Sequence, residues 1–210
     1  MKDKLNLNDF IKVIKNISKT IQDNMNYLSK LDSTVGDGDH GITIARGFKN
    51  VTAKLEEDTP KEISSLLKKV GLTLISSMGG AAGPIFGSIF TEMARVAEGR
   101  QFTDLSTLYE MFNASLEKVS KLGGAKPGDK TLIDSLNLAV LSLKESISSS
   151  LSMKETLKNM TASAEQGMLS TKNMVASKGR ARYLAERSIG YQDAGATSMY
   201  LIIKSIYEAI

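Results

Sequence analysis

Phe10-Ile11-Lys12-Val13-Ile14-Lys15-Asn16-Ile17-Ser18-Lys19-Thr20-Ile21-Gln22-Asp23-Asn24-Met25-Asn26-Tyr27-Leu28 sets the fold class. Phe10, Ile14, Ile17, Ile21, Met25 and Leu28 recur at three- and four-residue steps, so they share one face of a helix. The same period returns along the chain. Ile44, Phe48, Val51 and Leu55 predict a short second helix. Ile63, Leu66, Leu67, Val70 and Leu74 predict a third, introduced by Thr59-Pro60-Lys61-Glu62, which reads as a capping box with proline at the first helical position. A fourth carries Ile85, Ile89, Met93 and Val96 and stops at Gly99. A fifth runs from about Asp104, with Leu108, Met111, Phe112, Leu116 and Val119 inward, to Gly123-Gly124. A sixth covers about 131–146, with Leu132, Leu136, Val140 and Leu143 inside. Ser152 to Glu155 repeats the capping-box pattern and opens a seventh. The last runs from about 194 to 207, with Met199, Ile203 and Ile206 facing inward. No stretch alternates as a strand would. The expectation is one all-α domain over residues 1–210, a barrel or bundle of about eight antiparallel amphipathic helices.

Composition narrows the class. At 210 residues the chain can bury a sizeable core, and 41% hydrophobic with 24% charged residues is ordinary for a soluble globular protein. No apolar run reaches the ~20 residues that span a bilayer, and Met1-Lys2-Asp3-Lys4-Leu5-Asn6 lacks the apolar stretch of a signal peptide. The absence of cysteine fits a cytoplasmic location. A net charge of +4 is mildly basic, but the lysines are scattered and only 6% of residues are aromatic, which argues against a nucleic-acid groove.

The chemistry concentrates where the helical pattern breaks. Asp32-Ser33-Thr34-Val35-Gly36-Asp37-Gly38-Asp39-His40-Gly41 gathers three carboxylates, the only histidine and three glycines. Helix punctuation would use one aspartate, or two. Three anions on one loop call for a cation, and hard carboxylate oxygens suit Mg²⁺ or Ca²⁺. An EF-hand is disfavoured, because the twelfth position counted from Asp32 or Asp37 is Thr43 or Phe48 rather than glutamate. Clustered aspartates without that glutamate suit Mg²⁺ ions that share a nucleotide's phosphates. His40 reads as a phosphate or nucleotide contact rather than a magnesium ligand.

Gly79-Gly80-Ala81-Ala82-Gly83-Pro84 lies directly ahead of a helix. It reads equally as an anion-binding helix start or a tight interhelical turn. No Gly-x4-Gly-Lys-Ser/Thr loop occurs. From chemistry alone Lys126-Pro127-Gly128-Asp129-Lys130-Thr131 is an ordinary exposed turn. Residues 178–193 form a long, partly irregular connection, in which Arg180 is a candidate diphosphate clamp. Asp193 caps the last helix or contacts a ligand. The breaks at 32–41, 79–84, 123–130 and 178–195 are two helices apart, so in an antiparallel array they emerge at one end and can build one site.

In order, Leu31 to Gly47, Ser76 to Gly87, Gly123 to Thr131 and Lys178 to Ser198 resemble the nucleotide-binding L subunits of dihydroxyacetone kinases. The resemblance implies a barrel of eight antiparallel helices with the nucleotide at one end. It implies Asp32, Asp37 and Asp39 as ligands of two Mg²⁺ ions bridging the phosphates of ADP or ATP. His40, Gly41, Ile42 and Thr43 fall on a nucleotide-contacting turn, and Ala81 and Ala82 on a phosphate loop. Gly123 and Leu132 flank the adenine, Arg180 contacts the nucleotide, and Asp193, Ala194 and Gly195 form the final nucleotide-contacting turn. The family loop often reads Gly-Gly-Ala-Ser-Gly-Pro, and Ala82 here removes that hydroxyl.

The resemblance also implies partners. The triose would sit on a separate K subunit, bound through a histidine that this chain does not have to spare, and no substrate domain is expected on this chain. A phosphohistidine M subunit of the sugar phosphotransferase system would recharge the bound ADP. The expected activity is phosphoryl transfer from magnesium-bound ATP to dihydroxyacetone, seen only with partner subunits, in a homodimer or hetero-oligomer. Alternatives are an ATP-exchanging L subunit of a two-chain kinase for another small ketose, and a nucleotide-binding module that docks on a transcriptional regulator.

Overall fold

Nine α-helices form among residues 3–210, which the computed structural model describes. They are α1 (Leu7–Asp23), α2 (Met25–Ser33), α3 (His40–Glu57), α4 (Ile63–Ser77), α5 (Ala82–Val96), α6 (Leu105–Gly123), α7 (Leu132–Ser148), α8 (Met153–Ser170) and α9 (Ala194–Ala209). Two 3-10 segments, Thr171–Asn173 and Ala181–Ser188, lie in the connection from α8 to α9. A lone antiparallel bridge ties Leu5 to Thr103. Among the described residues no helix is long and apolar enough to cross a membrane.

The apolar faces meet as their spacing predicts. Ile14, Leu28, Phe48, Leu67, Phe86, Met111, Leu136, Met160 and Met199 bring every helix into one buried cluster. Truncating one of the fully buried leucines, such as Leu136→Ala, would cost roughly 2–5 kcal/mol through lost burial and the cavity left behind. The helices form a closed ring: α1 packs on α3, each helix from α3 onward packs on its successor, and α9 returns to α1. This is the expected eight-membered barrel, with α2 as a short extra segment against α3. Short connections make the neighbours antiparallel. At one crossing Gly71 and Gly87 let backbones nearly touch, since a Cβ on Gly71 would stand 2.7 Å from the Gly87 carbonyl oxygen.

The capping boxes behave unequally. Ser152 with Glu155 opens α8, and Thr131 with Asp134 opens α7. Thr59 does not open α4. Its hydroxyl donates to the Leu55 carbonyl at 2.6 Å, which ties it to the end of α3, and α4 starts at Ile63 behind an extended Glu62. A threonine hydroxyl can bond back as readily as forward, and here the backward bond wins.

The first apolar stretch is also not one helix. Asn24 leaves helical geometry between α1 and α2, and its side-chain amide donates to the Thr20 carbonyl at 2.8 Å. The side chain offers the backbone an alternative partner, which breaks the helix without disturbing the apolar register. The second helix, α3, is long rather than short, at 18 residues.

Candidate functional site

Alternate connections of the ring do emerge at one end. The α2–α3, α4–α5, α6–α7 and α8–α9 connections all line one open cavity of about 510 Å³, a size that suits a small-molecule or cofactor ligand. Of the residues singled out from sequence, all but Gly41 and Gly123 lie on its wall.

The α2–α3 loop supplies the acidic wall. Asp32, Asp37 and Asp39 each bring a carboxylate oxygen within 4.8 Å of the others. Asp32 is held by its place in the last turn of α2, and it accepts the His40 main-chain N–H at 3.3 Å. Three hard anionic donors so close are mutually repulsive unless a cation joins them, which is the chemistry of a magnesium or calcium site. The residues present therefore fit a divalent ion.

The start of α3 turns its first face into the cavity. His40, Thr43 and Arg46, three residues apart, line it together. The His40 ring packs against Phe86 at a centroid distance of 6.2 Å, and its Nε2 lies 2.8 Å from Ser198 Oγ. The Ser198 hydroxyl also lies 3.0 Å from the Ala194 carbonyl oxygen, which ties the ring to the first turn of α9. Burial pushes the His40 pKa down, against the pull of Asp32 and Asp39 in the other direction.

Gly41 is buried and faces α2 rather than the cavity. A Cβ there would collide with the Met25 carbonyl and stand 2.7 Å from the Ser29 nitrogen. Its part is to let α3 sit against α2, and so to set the bend of the acidic loop between them. Gly123 ends α6 and is exposed, with its nearest neighbour the Ile85 side chain, itself part of the wall.

The wall formed by the α4–α5 connection is short of side chains. Gly79, Gly80, Ala81 and Ala82 border the cavity, and no side chain caps the first turn of α5. An uncapped helix start presents free N–H groups and the positive end of its dipole to whatever enters. Ile85 and Phe86, one turn on, add apolar surface beside it.

The long α8–α9 connection supplies cations and a further carboxylate. Arg180 Nη1 lies 2.8 Å from Asp37 Oδ2. Asp193 accepts from the Ala196 N–H at 2.6 Å, so it caps α9 and borders the cavity at once. Burial is the main influence raising its carboxyl, to about 7, aided by Asp134 and Asp32 and opposed by the Ala196 hydrogen bond and Lys130.

Residues 126–131 correct the sequence reading. Asp129 and Lys130 are buried, the lysine only 2% exposed. Lys130 and Thr131 line the cavity beside Leu132. Arg46, Ile85 and Phe86 were also missed. Their signal was helical register, since each stands three or four residues after a residue already singled out.

The DAK2 domain model matches residues 34–208. The ADP-binding subunit DhaL of a PEP-dependent dihydroxyacetone kinase from Escherichia coli (strain K12) is 44% identical over 180 residues, 86% of each chain. The ADP-binding subunit DhaL of a PTS-dependent dihydroxyacetone kinase from Lactococcus lactis is 35% identical, over 98% of this chain and 99% of that one. The crystal structure of the dihydroxyacetone kinase of C. freundii in its native form superposes with a TM-score of 0.75 at 25% identity, over 94% of this chain and 34% of that one. This chain therefore spans about a third of that kinase. With the model covering most of its length and relatives of this identity matched over most of theirs, the chain belongs to the DAK2 domain family and is similar to the ADP-binding L subunits of dihydroxyacetone kinases.

Proposed function

We propose that this chain is the nucleotide-binding subunit of a dihydroxyacetone kinase assembled from separate proteins. It holds ADP or ATP with two Mg²⁺ ions, and phosphoryl transfer goes to dihydroxyacetone carried by a K subunit. A phosphohistidine M subunit of the phosphotransferase system restores the bound ADP to ATP. The whole chain, 1–210, acts as one nucleotide-binding unit, in the cytoplasm, within a homodimer or hetero-oligomer. Docking on a transcriptional regulator is a further role proposed for it.

One observation carries this reading: three carboxylates, an uncapped helix start and Arg180 meet around a single cavity. When bound, the nucleotide supplies the phosphoryl group and the magnesium ions neutralise charge that develops on it. Asp32, Asp37 and Asp39 would hold the metal. The α5 N–H groups and the Arg180 guanidinium would orient the phosphates from the facing walls. His40, held by Ser198 and Phe86, presents its ring beside them. Leu132, Ile85 and Phe86 offer apolar surface for the base. The main-chain donors at the start of α5 need no rearrangement, which is how such sites gain from orientation and preorganised charge.

The deciding experiment is to dialyse the purified chain with Mg²⁺, denature it and identify released nucleotide by chromatography. About one ADP per chain is expected for a cofactor recharged in place. A chain that emerges empty and then binds ATP reversibly supports the ATP-exchanging kinase for a small ketose. No binding of either nucleotide rejects the site.

A further inference from the structure

Lys130 follows Gly128-Asp129 in a polar turn, yet it is among the most buried side chains of the protein. Its backbone is left-handed, with φ of 60°, a conformation that a residue with a Cβ rarely adopts. Asp134 holds the turn in that shape, accepting the Gly128 N–H at 2.6 Å and the Thr131 N–H at 2.7 Å. The side chain is thereby sent under the α8–α9 connection. There its Nζ, with three N–H donors, lies within hydrogen-bond distance of four main-chain carbonyls: Thr171 at 2.6 Å, Met174 at 3.2 Å, Ser188 at 2.8 Å and Tyr191 at 2.5 Å.

These four carbonyls have a position in common. Thr171 and Met174 stand where the connection leaves α8; Ser188 and Tyr191 stand where it returns towards α9. Between them runs the exposed loop that carries Arg180. The Gly190 N–H donates to the Lys172 carbonyl at 2.7 Å, and the Ala176 N–H donates to Ser188 Oγ at 2.9 Å, so the two strands of this neck also touch directly. Converging carbonyl oxygens repel one another and are costly to leave without donors in a buried site. A compact cation at their centre removes both costs. An ammonium suits the cage because it is a small charge with donors in several directions, whereas a planar guanidinium is not.

We propose that Lys130 is a positioning residue. Its ammonium plugs a cage of carbonyls at the neck of the α8–α9 loop, and so fixes where Arg180 stands against the phosphates. The statement about Arg180 rests on the nucleotide reading given above; the plugged neck does not. The α6–α7 loop, third of the four around the cavity, thus shapes the fourth.

The test uses the full chain. Amide hydrogen exchange on the ligand-free protein reads the neck whether or not a nucleotide ever binds. In Lys130→Met, which keeps the length but not the charge, exchange across 171–192 should quicken by about tenfold or more while α4, α5 and α6 keep their protection. Unchanged exchange in that segment overturns the proposal, and so does an equal loss in every helix, since the lysine would then hold the fold and not the loop. Lys130→Ala with added n-propylammonium should regain protection, and n-propanol should not. Equal rescue by the alcohol would reduce the role to filled volume and overturn the proposal.

ADP affinity completes the cycle. Lys130→Met should weaken ADP binding about as much as Arg180→Ala does, and the double variant no further than Arg180→Ala alone. Additive losses would mean that the lysine does not act through the arginine. If the unaltered chain binds no ADP, the nucleotide reading fails by itself, and the exchange result still decides the neck.

Discussion

Arg180 Nη1 stands 2.8 Å from Asp37 Oδ2, so the arginine of the α8–α9 loop is paired with a carboxylate of the acidic loop across the cavity. Both ends reach water, the arginine side chain 68% and the aspartate 36% exposed. Such a pair is worth only about 0.2–1 kcal/mol, and salt weakens it. It is therefore easily exchanged. Asp37 can turn to a metal and Arg180 to a phosphate without a large loss.

That exchange separates two effects of Arg180→Ala. Freed from the guanidinium, Asp37 should bind a divalent ion up to about fivefold more tightly in the nucleotide-free chain. ADP should bind about tenfold or more weakly, because a charge-assisted hydrogen bond to phosphate is lost. Calorimetric titration with Mn²⁺ and then with ADP reads both. A weaker metal together with unchanged ADP would refute the exchange.

Asp39→Asn tests the acidic cluster with little disturbance to the helix start, since asparagine is as good as aspartate before a helix. Metal affinity should fall at least about tenfold, as one of three hard anionic donors becomes neutral. Without metal the variant should melt at the same temperature or slightly higher, because one of three mutually repelling charges is gone. A lower melting temperature in EDTA would show that the cluster is stabilised within the protein and needs no cation.

Much of this site was legible in the sequence, and the failures have physical causes. The helices announced themselves because each buries a stripe, and burial leaves a 3.6-residue period. Asp32, Asp37 and Asp39 announced themselves because three anions on one loop are hard to explain otherwise. Asn24 did not, since the apolar register runs through the break between α1 and α2. Thr59 misled, because one hydroxyl serves either a helix start or the preceding helix's end. Lys130 was hidden more deeply. Its partners are main-chain carbonyls, which have no letter in the sequence, and a lysine in a Pro-Gly turn ordinarily faces water.

Gly41 is where fold and site are most tightly joined. Gly41→Ala would set a methyl group against the Met25 carbonyl and the Ser29 nitrogen and hydroxyl. α3 must then move away from α2, at a cost of about 1–3 kcal/mol. The acidic loop joins these two helices, so metal affinity should fall along with stability, although Gly41 does not face the cavity. Thermal melts with and without Mg²⁺ check this. A destabilised variant that keeps its full metal-induced shift would show that the loop's geometry does not depend on the crossing.

Asp193 gives the site a pH dependence with a definite sign. Its folded pKa of about 7 lies above the ordinary carboxylate value, chiefly through burial, with Asp134 and Asp32 adding to the rise while the Ala196 N–H and Lys130 oppose it. Between about pH 4 and pH 7 the folded chain keeps a proton that the unfolded chain has released. Stability should therefore fall as pH rises through that window and level off above it. Asp193→Asn keeps the cap on α9 and removes the titration, so its stability curve should lose this slope. Denaturant melts of both chains in metal-free buffer between pH 4 and 8 measure it. Parallel curves would place the Asp193 pKa in the ordinary range.

Ala82 offers a test of where the phosphates of a bound nucleotide sit. It is the first residue of α5 and lines the cavity, where the helix start has no side-chain cap. The N–H groups of that turn remain available whatever the side chain, so binding does not require a hydroxyl. Ala82→Ser would add one donor at the place where a phosphate is expected. A hydrogen bond to a charged group is worth about 1.5–3 kcal/mol, so ADP release should slow by roughly tenfold or more. Stopped-flow displacement of a fluorescent ADP from both chains measures the rates. Slower release from the serine variant would place the phosphates on α5. Equal rates would mean that the phosphates lie elsewhere, with the acidic loop and Arg180 holding them.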